Sequence, residues 1–159
     1  MPQMNRKLVK YGLWCLACLA VSLLGGLAFV KYLEAKRTSV AARLFIETGE
    51  AGKRTSAAYR HGTQAEGISA LSAYLAQLEK AKGLQGYDLW TPRWITRTDM
   101  ALTHARLAKL YESSGQPSLS TQHVALALEC AKSSGHLAAI TNWESMARFV
   151  AEIDTHARD

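Results

Sequence analysis

Between Lys10 and Lys31 lie twenty consecutive residues without a charge, YGLWCLACLAVSLLGGLAFV. As a helix rising about 1.5 Å per residue, the run covers roughly 30 Å, the thickness of a hydrocarbon core. Tyr11 and Trp14 near one end and Tyr32 near the other would put amphipathic rings at headgroup level. Arg6, Lys7 and Lys10 precede the run, and Lys31, Lys36 and Arg37 lie beyond it. The expected reading is a basic tail over 1–10 and a transmembrane helix over 11–32, with the lipid bilayer as first partner. A cleaved leader is the competing reading, because Gly26-Leu27-Ala28 offers small residues at both positions of a cut. Against it, the apolar run exceeds the roughly 7 to 15 residues of a leader and continues into Phe29 and Val30.

Both flanks are basic, so the charge bias alone does not choose an orientation. A ten-residue tail is readily retained in the cytoplasm as a signal-anchor, which exports the C-terminal part of the chain. In a bacterium this gives a single-pass inner-membrane protein with residues 38–159 in the periplasm. Cys18, Ser22 and Gly26 recur every four residues with Gly25 beside them, a face of small side chains on which two membrane helices approach closely. That face would serve a homo-oligomer or a larger membrane partner, although small residues are common in any membrane helix.

The net charge of +6 is unevenly spread. Residues 1–60 hold ten Lys/Arg against three Asp/Glu, and residues 61–159 hold nine against ten. The remainder of the chain therefore lacks the basic balance of a nucleic-acid binder. With 48% hydrophobic residues the whole chain is not disordered throughout, and its three cysteines cannot staple a disulfide scaffold.

After the run, KYLEAKRTSVAARLFIET carries helix formers and no breaker before Gly49, so the helix should continue to about Thr48. The stretch EAGKRTSAAYRHG then reads as a connector that can hold a short helix, closing a juxtamembrane segment over 33–62. From 63 to 157 the patterns are those of a small helical domain. Thr63 followed by Glu66 is a capping box, and Ile68, Leu71, Leu75 and Leu78 form an amphipathic stripe ending near Gly83. Thr91 as cap and Pro92 at the first helical position open a second helix that runs to about Ser114. Ser118 is the expected cap of a third, and Ala139, Trp143, Met146, Val150 and Ile153 mark the last. No segment has a strand pattern, so the expected class is all-α: a membrane helix followed by a small helical bundle.

Residues 103–135, THARLAKLYESSGQPSLSTQHVALALECAKSSG, resemble one tetratricopeptide helical hairpin. Tyr111 falls at its aromatic position, Leu107 and Ala108 at its Leu-Gly/Ala positions, Gly115 near its turn and Ala127 and Ser120 at small positions. The family's opening Trp is replaced by His104, its second aromatic by Val124 and its closing Pro by Lys132. Reading about 34 residues either way finds Ser145 and Gln77 where Tyr belongs, so no second good copy is found. The resemblance implies a helical-repeat-like module, a family that holds proteins or peptides in a groove. A generic antiparallel helix pair explains the same residues.

Chemistry is sparsely signalled. There is no HExxH, nucleophile elbow or Gly-rich phosphate loop, and Cys15 and Cys18, though spaced C-x-x-C, fall within the apolar run. His123 and Cys130 share a helix face, but two ligands do not make a metal site. No catalysis, cofactor or metal is expected. The one segment of unusual composition is GYDLWTPRWITRTD, where Tyr87, Trp90 and Trp94 are interleaved with Arg93 and Arg97. Aromatic residues and Arg dominate protein interfaces, so these five are the candidate partner contacts, unless the two Trp seal the end of a helical core. His104 joins them on the stripe Arg97, Ala101, His104, Ala108, Tyr111, which would line the concave side of a hairpin, unless it is a half-buried core histidine. The functional expectation is a membrane-anchored interaction or assembly module of the cell envelope with a membrane or periplasmic protein partner. The alternative is an accessory single-pass subunit docked through its membrane helix.

Overall fold

The computed structural model describes the backbone of residues 3–156 and the side chains of residues 22–156. It is all-α. The helices are α1 (Gln3–His61), α2 (Gln64–Gly83), α3 (Arg93–Ser113), α4 (Pro117–Ser134) and α5 (Trp143–His156), with a 3-10 turn at Tyr87–Leu89. Among the described residues there is no strand. The chain divides into two units, Met1–Ser39 and Val40–Asp159.

In the first unit Leu23, Leu24, Leu27, Phe29, Val30 and Tyr32 are all exposed, and Gly25 and Gly26 have open space where a Cβ would project. Among the described residues no helix is long and apolar enough to cross a membrane. Half of the expected span, residues 11–21 with the packing residue Cys18, has side chains outside the described residues.

The second unit begins within α1. The stretch from Glu50 to Gly62, expected as a connector, is helical through His61. Gly49 and Gly52 each weaken a helix by about 1 kcal/mol relative to alanine, but packing on one side outweighs this. Ala41, Leu44, Thr48, Ala51 and Thr55, spaced three and four apart, are buried in a single stripe. Gly52 lies in it for a steric reason: a Cβ there would come within 3.1 Å of the Tyr74 hydroxyl of α2. The hydroxyl of Thr55 donates to the Ala70 carbonyl across the same contact, at 3.3 Å.

The reversal from α1 into α2 is tight. Gly62 donates its N–H to the Ala58 carbonyl at 2.9 Å, and a Cβ at Gly62 would meet that same oxygen at 2.6 Å. Only glycine fits such an approach without a backbone shift. One residue on, the capping box forms as read: Thr63 Oγ1 accepts from the Glu66 N–H, and Glu66 Oε2 accepts from the Thr63 N–H. The Thr63 N–H, and after it the Thr63 hydroxyl donating to the same Oε2 at 2.9 Å, hold the Glu66 carboxyl below its usual range. Of the α2 stripe, Leu71 and Leu78 are fully buried and Ile68 and Leu75 half-buried.

The tightest pairing is α3 with α4. Ala101 and Ala105 of α3 and Ala127 and Ala131 of α4 have no exposed surface, so the two helices meet on small side chains. Larger groups close the same core from one end: Leu137 in the turn after α4, then Met146 and Val150 of α5. The starts of α4 and α5 differ from the expected ones. Pro117 itself opens α4, so Ser118 lies inside the first turn. The last helix begins at Trp143 and leaves Ala139 in the preceding turn, because Asn142 Oδ1 accepts the Ser145 N–H at 2.9 Å and caps the helix there.

Three helices of this unit are joined by one polar cluster. The Arg106 guanidinium of α3 donates to Asp154 Oδ1 of α5 through Nε at 3.1 Å and Nη2 at 2.6 Å. The Tyr59 hydroxyl of α1 donates to Asp154 Oδ2 at 3.0 Å, and Arg106 lies over the Tyr59 ring, 5.3 Å from its centre.

Candidate functional site

The connection from α2 to α3 folds into the wall of a cleft. Leu84 leaves α2 with extended backbone, and Gly86 takes a φ of +88°, a left-handed conformation that glycine adopts without strain. This turns Tyr87 inward, where it is buried against Leu44 of α1 and Ala81 of α2. With Tyr87 pinned, the flanking residues stand around a cavity of about 680 Å³. The end of α2 (Ala81, Lys82, Gly83), the loop from Leu84 to Asp88, Thr91 and the first turns of α3 (Arg93, Thr96, Arg97) line it. That volume lies within the range of roughly 300 to 1,000 Å³ typical of ligand pockets.

The electrostatics of the cleft are set by three cations and one anion. Arg93 Nη2 lies 3.1 Å from Asp88 Oδ2, an exposed pair. Arg97 donates Nη1 to the Ser133 carbonyl at the end of α4 at 2.6 Å, which steadies its side chain and leaves its other donors uncommitted by that bond. Lys82 contacts Glu79 at 3.3 Å one turn back along α2. The start of α3 adds to this field. Thr91, the expected cap, does not cap it: Pro92 occupies the cap position, no side chain accepts from the first turn, and that turn has no acidic residue. Thr91 Oγ1 is buried with no hydrogen-bond partner. A helix start carries partial positive charge, so an uncapped start bearing Arg93 and Arg97 is an arrangement that favours an anion.

An apolar rim stands beside the cleft. Leu89 is 77% exposed, and Trp90 and Trp94 are each 45% exposed. Trp90 stacks on Phe45 of α1 with centroids 6.2 Å apart, and Trp94 packs at a tilt on His136, 5.1 Å away. Of the six side chains singled out from the sequence, Tyr87, Arg93 and Arg97 line the cleft and Trp90 and Trp94 stand on the rim. Tyr87 is a floor post of the cleft, being almost wholly buried.

His104 is placed differently. It is 5% exposed and lies outside the cleft lining, with its Nδ1 2.8 Å from Nδ1 of His123 on α4. One nitrogen must donate and the other accept, so the pair shares one proton along that line. Tyr111 stacks on the His123 ring, 5.3 Å between centroids. Burial, with the neighbouring His123 second, pushes His104 down to about 4, and burial lowers His123 as well.

The pairing of Asp99 with Tyr74 had no sequence signal. Asp99 is half-buried with its carboxyl 3.4 Å from the Tyr74 hydroxyl, and burial raises both groups above their usual values. The Cys130 thiol is also raised, chiefly by burial, so it is a poor nucleophile at neutral pH. Among the described residues no group of three or more His, Cys, Asp or Glu is placed to hold a metal ion. The chain matches no protein-family model, and comparison with curated proteins and with solved structures finds no match.

Proposed function

We propose that this chain is a membrane-anchored interaction module of the cell envelope, in which residues 11–32 hold it in the bilayer and the helical domain presents the cleft and its rim to a protein partner. The observation that carries this reading is the juxtaposition of a 680 Å³ cleft lined by Arg93 and Arg97 with exposed Leu89, Trp90 and Trp94. Arg and Trp are the residues most enriched in binding hot spots, and a concave site beside them supplies a pocket. Tethering adds to this. Confinement to a surface raises the effective concentration of domain and partner, so modest contact energies suffice. The module works without catalysis, by holding its partner in place.

Anchoring is supported by the uncharged run itself and by the exposure of Leu23, Leu24, Leu27 and Phe29, apolar side chains that lipid would cover. With the basic tail retained in the cytoplasm, the domain is periplasmic. The tetratricopeptide-like reading of residues 103–135 is supported by Ala108 and Ala127, fully buried at the positions where that repeat takes small residues. The second reading, an accessory subunit or homo-oligomer packed through the membrane helix, draws on Gly25 and Gly26, whose bare backbones have open space beside them.

In-cell photo-crosslinking tests the docking face. A benzophenone amino acid at Leu89, which is 77% exposed, should give one dominant crosslinked protein in the native cell. Adding Trp90→Ala and Trp94→Ala should lower its yield about tenfold, in line with the loss of one hot-spot residue or more, without changing helicity. An unchanged yield would remove the rim from the docking face.

A further inference from the structure

We propose that the cleft between the end of α2 and the start of α3 takes an acidic peptide segment of the partner, so that carboxylates meet Lys82, Arg93 and Arg97. This deepens the interaction reading and rests on it. Three observations converge. The cleft is lined by three cations and by Asp88 as its only acid. The α3 start that opens into it has no capping side chain and no acidic residue in its first turn, although helix starts ordinarily gain stability from both. The third is Thr91 in the lining, whose Oγ1 is buried without a hydrogen-bond partner.

Size and surroundings decide which anion. A cavity of about 680 Å³ is much larger than one phosphate or carboxylate, and its rim is aromatic and apolar. An extended peptide fills that shape, with side-chain carboxylates inside and its flanks against Trp90 and Trp94. Arg93 and Arg97 each present planar guanidinium donors suited to carboxylates, whereas Lys82 acts as a point charge. Asp88 has a defined place in this scheme. It occupies Arg93 at 3.1 Å when no partner is present, so it competes with the incoming carboxylate.

The test uses the full chain in detergent micelles and a fluorescein-labelled peptide with four consecutive glutamates, followed by anisotropy. The glutamate peptide should bind at least about tenfold more tightly than its glutamine counterpart, and raising salt from about 20 to about 300 mM should remove most of that difference. Lys82→Gln with Arg93→Gln, both at exposed side chains, should weaken binding about tenfold at unchanged helicity. Asp88→Asn should strengthen binding about two- to threefold by freeing Arg93, an effect that a purely structural Asp88 would not give. Equal binding of the two peptides, or no response to either variant, overturns the proposal. So does inorganic tripolyphosphate that displaces the peptide while binding more tightly than it, which would mark a small-anion site. If the Leu89 crosslink still captures one protein when the peptides bind equally, the docking face stands and only its acidic ligand falls. If the peptides behave as expected and no crosslink forms, the docking face at Leu89 falls.

Discussion

Arg106→Ala will cost the second unit about 3 kcal/mol, the largest effect expected of any single truncation outside the apolar core. Arg106 and Asp154 are only 19% and 13% exposed, and their 2.6 Å contact ties α3 to the last turn of α5. Removing the guanidinium leaves the Asp154 carboxylate largely desolvated, with the Tyr59 hydroxyl as its one remaining side-chain donor among the described residues. An unpaired buried charge is far more costly than a missing pair. The same reasoning predicts partial rescue. Arg106→Met with Asp154→Leu removes both charges and keeps much of the volume, so it should recover more than half of the loss. Tyr59→Phe, which deletes one hydrogen bond, should cost about 1 kcal/mol. Urea unfolding of the full chain in detergent, followed by far-ultraviolet circular dichroism, measures all three. A double variant as unstable as Arg106→Ala would show that packing of the arginine stem, not its charge pairing, dominates.

Acid will weaken the domain through the histidine pair before carboxylates titrate. His104 is held down to about 4 and His123 is lowered too, so the folded state binds fewer protons than the unfolded chain as pH falls below about 6.5. The stability this represents is complete above about 6.5 and is lost as pH falls toward about 4. Two protonated rings would also face each other across a 2.8 Å contact that needs one acceptor. The charge of Glu79 acts the other way and favours protonated His104, but burial and His123 outweigh it. Asp99 also opposes the trend, because its raised carboxyl gains a proton more readily folded than unfolded. Discounted for partial solvent screening, the pair should account for about 2 kcal/mol lost between pH 7 and pH 4.5. His104→Leu with His123→Leu should remove at least half of that loss, read as the difference in Tm between the two pH values. Equal pH dependence in variant and parent would assign the acid sensitivity elsewhere.

The helical class and most helix ends were legible in the sequence because they are local. The capping box at Thr63 and Glu66 and the stripe through Leu71 and Leu78 need only neighbours three or four residues away, and both are found as read. The exceptions have tertiary causes. Glycine, serine and threonine between Glu50 and Gly62 read as a linker, yet Gly52 and Thr55 face α2, where a small side chain and a hydroxyl are what the packing needs. At the α3 start Thr91 was the better cap by chemistry, but its hydroxyl is buried and Pro92 takes the place.

The candidate site was legible in composition and hidden in geometry. The cluster of Tyr87, Trp90, Arg93, Trp94 and Arg97 was visible, since aromatics and arginines that close together are unusual. Lys82 joined it only through the turn at Gly86, which brings the end of α2 beside the start of α3. His104 and His123 were each noticed, but their pairing depends on the register of α3 against α4, which no local pattern carries.

Membrane retention with an exported domain is the claim on which tethering depends, and fractionation with protease accessibility addresses it directly. In bacterial cells the full-length chain should stay in the membrane pellet after alkaline carbonate extraction. Protease added to spheroplasts should remove the epitope at the C-terminus while the cytoplasmic marker survives. A carbonate-soluble chain whose mature N-terminus lies near Phe29 would contradict the account.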